Sequence, residues 1–98
     1  MYKCEVYKSI WSNKEKNDLY EILFKCFELP FPPYIGLTVI FGKFNSGNIL
    51  SVTWNAESKV FNLKTSDETP WIDDDEHIHT AEDIASHYIT RSNWEVLR

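Results

Sequence analysis

The sequence predicts an α+β fold in which an antiparallel β-sheet carries one long helix and one short helix, in the element order βαβββαβ. Three patterns predict it. Apolar residues alternate with polar ones at the N-terminus, recur at helical spacing over residues 13–29, and alternate again in three short runs between residues 35 and 64. A chain of 98 residues with 43% apolar content has room for one core of modest size. We therefore expect a single domain spanning residues 1–98.

An N-terminal strand and a long helix are predicted to open the fold. The strand covers residues 2–11, where the alternation has a period of two. Ser12 and Glu15 then stand in the S-x-x-E spacing of a capping box, in which each side chain accepts a hydrogen bond from a free backbone N–H at the start of a helix. Pro30 is predicted to end the helix. Its core-facing residues would be Leu19, Ile22, Leu23, Cys26 and Phe27.

Three strands are predicted to form an antiparallel meander next in the chain. The first run covers residues 35–42, and the Asn-Ser-Gly-Asn sequence at residues 45–48 is typical of the hairpin turn that would follow it. The resulting apolar face would receive the long helix. In the second and third runs, the core-facing residues would be Leu50, Val52, Trp54, Phe61 and Leu63.

A short second helix and a short C-terminal strand are predicted to close the fold. Thr80 precedes Asp83 by three residues, which again indicates a helix start, and apolar residues at helical spacing continue to about residue 90. Trp94, Val96 and Leu97 then favour a short strand.

Charge is distributed unevenly along the chain. Residues 65–90, called the acidic segment below, contain eight Asp or Glu residues and all three histidines but no lysine or arginine. Residues 1–64 carry a formal charge of +2 and residues 65–98 a charge of −7. Proteins bind nucleic acids largely through Lys and Arg, which displace condensed counterions from phosphates. We therefore expect no nucleic-acid partner.

The cysteines and the N-terminus indicate a cytoplasmic protein. Cys4 and Cys26 are too few and too far apart for a disulfide framework or a cysteine-based zinc site, so we expect two reduced, buried thiols. Lys3, Glu5 and Lys8 interrupt the first ten residues, which therefore lack the continuous apolar run of a signal peptide or a membrane span. We expect no membrane partner and no cofactor.

The leading functional hypothesis is a non-enzymatic interaction protein, comparable to an inhibitor or an immunity protein. It would self-associate as a homodimer or other homo-oligomer, or dock a basic partner protein that the acidic segment attracts. The second face of the predicted sheet is more apolar than a solvated face should be, and Trp71 beside the acidic run suits an aromatic anchor. The predicted partner-binding residues are Tyr7, Trp11, Ile40, Phe44, Ile49, Val60 and Trp71.

Two alternative hypotheses concern the same region of the chain. A metal-binding protein or metal-dependent hydrolase would use the imidazoles and carboxylate of His77, His79, Asp83 and His87, although the sequence has no metal motif of diagnostic spacing. A small-ligand-binding module would hold its ligand between the sheet and the second helix. The sequence contains no nucleophile elbow and no glycine-rich phosphate loop, so binding is favoured and enzymatic activity is left open.

Overall fold

Nine strands and one helix make up the fold of residues 1–97, which are the residues that the computed structural model describes. The fold is a mixed α+β arrangement with a mostly antiparallel main sheet. In chain order the elements are β1 (Tyr2–Trp11), β2 (Leu19–Leu29), β3 (Thr38–Phe41), β4 (Phe44–Asn48), β5 (Ser51–Asn55), β6 (Val60–Lys64), β7 (Trp71–Ile72), β8 (Ile78–His79), α1 (Ala81–Ser92) and β9 (Glu95–Val96).

The main sheet has five strands in the order β5-β6-β1-β2-β9. Strand β1 lies at its centre, antiparallel to β2 and parallel to β6. The pairs β3–β4 and β7–β8 form two separate antiparallel hairpins. Helix α1 packs on β1, β2 and β4, so the inner face of the sheet is the face that α1 covers.

The long helix predicted over residues 13–29 is wrong, because this part of the chain contains strand β2. Ten residue pairs join β2 to β1, from Tyr2 opposite Leu29 to Trp11 opposite Leu19. The β2 sequence is rich in Leu, Ile, Tyr and Phe and has no alanine, so it suits a pleated, half-buried surface. Ser12 lies in the connecting turn, where its backbone N–H donates to the Asp18 carbonyl at 2.8 Å instead of starting a helix.

The predicted three-stranded meander is also replaced by a different arrangement. The chain reverses at Gly42, whose φ of +57° suits a glycine, and residues 45–48 belong to strand β4 instead of forming a turn. The buried Ser46 hydroxyl accepts a hydrogen bond from the Val39 backbone N–H at 2.9 Å, which ties β4 to β3. Strands β5 and β6 pair with each other as expected, but they join the main sheet through β1.

Helix α1 begins where the Thr80 and Asp83 spacing predicted a helix start. The Thr80 hydroxyl accepts from the Asp83 backbone N–H at 3.2 Å, and the Asp83 carboxylate accepts from the Thr80 backbone N–H at 3.3 Å. Asn93 ends the helix in the left-handed conformation, with φ of 55°. Strand β9 follows at the edge of the sheet beside β2.

The hydrophobic core lies between the inner face of the sheet, α1 and hairpin β3–β4. Residues of β1 alternate between buried and partly exposed, so the outer face of the sheet remains partly open. Within residues 1–97 there is no helix with the length and apolar character needed to span a membrane. The largest fully buried apolar side chains are Trp94, Phe44, Ile10, Leu23, Ile49, Leu63 and Val6.

Candidate functional site

A cavity of about 530 Å³ lies between α1 and hairpin β7–β8. Its volume is in the range of small-ligand binding sites. Apart from Glu68, its polar and aromatic lining comes from the hairpin and the helix, and all of it belongs to the acidic segment. These lining residues are Glu68, Trp71, His79, Asp83, His87 and Tyr88.

The hairpin side of the cavity is a stacked pair of rings. Trp71 and His79 are opposite each other in the register of β7 and β8, and their ring centroids are 4.0 Å apart with an interplanar angle of 7°. His79 Nε2 lies 3.0 Å from Asp73 Oδ2, which fixes the imidazole against the indole. This hydrogen bond, supported by the His77 backbone N–H, lowers the pKa of the Asp73 carboxyl. The Asp73 carboxylate therefore acts as a support for the aromatic wall.

The helix side of the cavity carries Asp83 and His87, which are one turn apart on α1. Asp83 has two roles, because one carboxylate oxygen completes the capping box with Thr80 while the residue also lines the cavity. Among the described residues, no Lys or Arg nitrogen lies within 4.0 Å of the Asp83 carboxylate. Within residues 1–97, the helix start thus presents a negative charge to the cavity with no Lys or Arg side chain paired to it.

Behind the cavity, Glu68 joins Tyr88 to a buried lysine. The Tyr88 hydroxyl donates to Glu68 Oε1 at 2.7 Å, and Lys8 Nζ lies 3.6 Å from the same oxygen. Lys8 is only 4% exposed, donates to the Ser66 carbonyl at 2.8 Å and lies 5.0 Å from the centre of the Tyr88 ring. Burial lowers the pKa of the Lys8 ammonium, and the Glu68 carboxylate opposes that shift.

Tyr88 is held as a neutral hydrogen-bond donor in this arrangement. Burial raises the pKa of its hydroxyl, and the hydrogen bond to Glu68 adds to the increase. Oε1 of Glu68 thus accepts a hydrogen bond from Tyr88, and the nearby Lys8 ammonium partly compensates the negative charge of the Glu68 carboxylate.

The four predicted metal ligands do not form one compact set. His79, Asp83 and His87 line the cavity, whereas His77 lies beside the turn of the β7–β8 hairpin. Within the described part of the chain, one group of three or more His, Cys, Asp or Glu side chains has its ligand atoms within 4.8 Å of one another. It consists of Asp73, Asp75 and His77, and it includes only one of the four predicted ligands.

The predicted partner-binding residues are distributed over several separate parts of the molecule. Phe44 and Ile49 are fully buried in the core, which corrects their assignment to an exposed face: the structure packs hairpin β3–β4 on the sheet. Tyr7 and Val60 are partly exposed on the outer face of the sheet, and Trp11 is partly buried, with no hydrogen-bond partner for its Nε1 among residues 1–97. Ile40 and Trp71 are exposed at separate hairpins.

Sequence reasoning missed Lys8, Glu68 and Tyr88 as parts of the site. One signal for Lys8 was present, since it follows Cys4 and Val6 at the even positions of β1 that turn inward. The contacts of Glu68 with Tyr88 and Lys8 could not be predicted from any local sequence pattern, because they depend on how segments far apart in the chain pack together.

Comparison with known proteins identifies no family. No family model matches the chain, and no curated protein or solved structure is similar enough to be matched to it. Function is therefore inferred from the geometry of the chain itself.

Proposed function

We propose that this chain is a non-enzymatic binding protein that docks a basic partner protein through hairpin β7–β8 and the start of α1. The observation that carries the proposal is a set of exposed apolar side chains in the middle of the acidic segment. Trp71 is 47% exposed, Ile72 62% and Ile78 66%. Buried aromatic or aliphatic anchors surrounded by a polar rim are the usual anatomy of a protein interface.

The register of the hairpin supports this assignment. Ile72 and Ile78 are opposite each other in β7 and β8, and neighbouring residues of a strand point to opposite faces. One face of the hairpin therefore carries Trp71 and His79 toward the cavity, while the other presents two isoleucines to the surroundings. A two-residue strand pair does not need this exposed apolar face for its own packing.

The negative charge of this surface supports the proposal that the partner is basic. Asp74, Asp75 and Glu76 form an exposed carboxylate group at the hairpin turn, and Glu82 adds another at the first turn of α1. A surface of one sign raises the association rate of an oppositely charged protein, and salt screens this effect. Cys4 is buried as expected, whereas Cys26 is exposed, which corrects its expected burial. Both thiols are unpaired, which is consistent with a reducing, cytoplasmic location for this role.

The test uses Ile78→Ser as the interface variant and Ile35→Ser as its matched control. Ile35 is 69% exposed and lies outside the acidic segment. Wild-type protein would be used to capture a partner from a lysate of the cells that naturally produce it. The partner would then be purified, and its affinity for the wild type and for each variant would be measured by calorimetry at two salt concentrations. We expect a net positively charged partner, binding that weakens as salt increases, about tenfold weaker binding for Ile78→Ser and no change for Ile35→Ser. Binding that is independent of salt, or equal in both variants, would contradict the proposal.

A second proposal is self-association through the outer face of the sheet. This face contains a shallow concavity of about 410 Å³ whose lining includes Tyr7, Ile22 and Thr53, and the Tyr7 ring stacks on Phe24 at 6.4 Å. Partly exposed aromatic residues on an open sheet face favour contact with a second copy. Light scattering after size exclusion would give the mass. A dimer that Phe24→Glu dissociates is expected, and a monomer at high protein concentration would exclude this proposal.

A further inference from the structure

We infer that the cavity between α1 and hairpin β7–β8 receives an arginine side chain of the basic partner. This inference rests on the proposed function, and it names the chemical group that the cavity recognises. The cavity combines aromatic walls with carboxylates, and these two features together favour a planar cation over a neutral or anionic group.

The aromatic wall is held in place before any ligand arrives. His79 covers one face of the Trp71 indole at 4.0 Å, and Asp73 holds His79 through a 3.0 Å hydrogen bond. Trp71 as a whole nevertheless remains 47% exposed, which leaves ring surface on which a second planar group can stack. A preorganised wall reduces the entropy that binding would otherwise cost.

The protein already holds one cation of its own in this region. The Lys8 ammonium lies over the Tyr88 ring at 5.0 Å and near Glu68 Oε1 at 3.6 Å. Aromatic rings and carboxylates at this end of the molecule therefore stabilise a positive charge that burial alone would disfavour. Because Lys8 partly neutralises Glu68, the carboxylate left to attract an incoming cation is that of Asp83.

Arginine fits this site better than lysine. The guanidinium group is planar, weakly hydrated and able to stack on an indole while donating hydrogen bonds to a carboxylate in its own plane. The lysine ammonium is compact and strongly hydrated, so it loses more hydration on entering a cavity lined by Trp71 and Tyr88. Stacking on Trp71 and donation to Asp83 are the two contacts that the inference requires.

The test is an NMR titration of the ¹⁵N-labelled protein with three peptides that differ only at their central residue, which is arginine, lysine or citrulline. We expect the arginine peptide to shift the Trp71 indole and the Asp83 and Tyr88 amide signals. Binding of the lysine peptide should be about fivefold weaker, and binding of the uncharged citrulline peptide at least about tenfold weaker. Equal binding of the arginine and citrulline peptides, or shifts confined to other regions, would overturn the inference.

Two cavity variants and one control variant complete the test. Trp71→Ala and Asp83→Asn should each weaken binding of the arginine peptide about tenfold, and Asp83→Asn keeps an oxygen for the capping box with Thr80. Trp54→Ala removes a comparably exposed tryptophan from β5 and should leave binding unchanged. Circular dichroism would check that each variant is folded. If Trp54→Ala weakens binding as much as Trp71→Ala does, the cavity is not the binding site.

The outcomes separate this inference from the proposed function. If Ile78→Ser weakens binding of the purified partner but Asp83→Asn does not, docking stands and the arginine inference fails. If the arginine peptide binds in the cavity but Ile78→Ser leaves the affinity for the partner unchanged, the proposed docking surface fails. If free arginine amide binds as tightly as the peptide, the cavity is a small-molecule site, and the assignment to a partner side chain is overturned.

Discussion

At the scale of single residues, Lys8 illustrates what an alternating pattern can and cannot predict. The even positions of β1 point inward, so Lys8 is buried beside Val6 and Ile10 although it is charged. The pattern contains this information. The pattern does not contain the compensation, which comes from Glu68, Ser66 and Tyr88 in segments about sixty or more residues away. A buried charge is therefore predictable from sequence here, whereas its partners are not.

Cys4 provides a prediction on pH dependence. Its side chain is fully buried, and burial raises the pKa of the thiol from 9.0 to about 11. Above pH 9 the unfolded chain loses this proton while the folded protein keeps it, so the free energy of unfolding decreases as pH rises from 9 toward 11. In Cys4→Ala this contribution is absent. Between pH 8 and pH 10 we expect the stability advantage of the wild type over Cys4→Ala to shrink by about 1 kcal/mol.

Urea unfolding at the two pH values would measure this change. The difference between wild type and Cys4→Ala cancels the contributions of Lys8, Tyr7 and Tyr88, which both proteins share. An advantage that stays constant across the pH range would show that the Cys4 thiol ionises equally in the folded and unfolded chains.

At the scale of elements, two similar signatures led to opposite outcomes. Thr80 and Asp83 form a capping box and start α1, whereas Ser12 and Glu15 lie in the turn between β1 and β2. The prediction of a helix over residues 19–29 was wrong because its spacing is ambiguous. Leu23 and Phe27 are four residues apart, and residues at that spacing share a face both in a helix and in a strand. The aromatic content of β2 and its pairing with β1 decided between the two.

The cap of α1 gives a prediction at this scale. Thr80→Ala removes the hydroxyl that accepts from the Asp83 backbone N–H at 3.2 Å, so the free energy of unfolding should fall by about 1 kcal/mol. The control is Thr90→Ala, which removes a hydroxyl that donates to the Ser86 carbonyl inside the same helix. We expect Thr90→Ala to change the free energy of unfolding by no more than about 0.5 kcal/mol, because a threonine inside a helix does not stabilise it relative to alanine. Urea unfolding measures both values. Equal losses would mean that the capping box does not stabilise α1.

At the scale of the whole molecule, the mixed α+β class was predictable from the sequence, but the arrangement of the sheet was not. Strands β1 and β6 pair in parallel although some fifty residues separate them, and no local pattern specifies that contact. Trp71 was assigned from sequence to a partner surface, and His79, Asp83 and His87 to a metal site. The structure places all four around one cavity, which unites residues that sequence reasoning had divided between two hypotheses.

Substitution of Trp94 would test whether helix α1 and hairpin β3–β4 unfold together. Its side chain is fully buried between α1 and hairpin β3–β4, with ring centroids 5.1 Å from Phe44 and 6.2 Å from Tyr88. Its Nε1 donates to the Asn45 carbonyl at 3.3 Å. Trp94→Phe leaves a cavity and removes this hydrogen bond, so we expect the free energy of unfolding to fall by about 2 kcal/mol.

The matched control is Trp54→Phe at the exposed edge strand β5, for which we expect the free energy of unfolding to fall by less than about 1 kcal/mol. Unfolding would be followed by far-UV circular dichroism, which reports the secondary structure, and by fluorescence of the remaining tryptophans. Because Trp94 contacts the helix and the hairpin at once, both signals of Trp94→Phe should shift together to lower urea concentration. A separate early transition in one signal would mean that α1 or hairpin β3–β4 unfolds independently, and that Trp94 does not couple the two layers above the sheet.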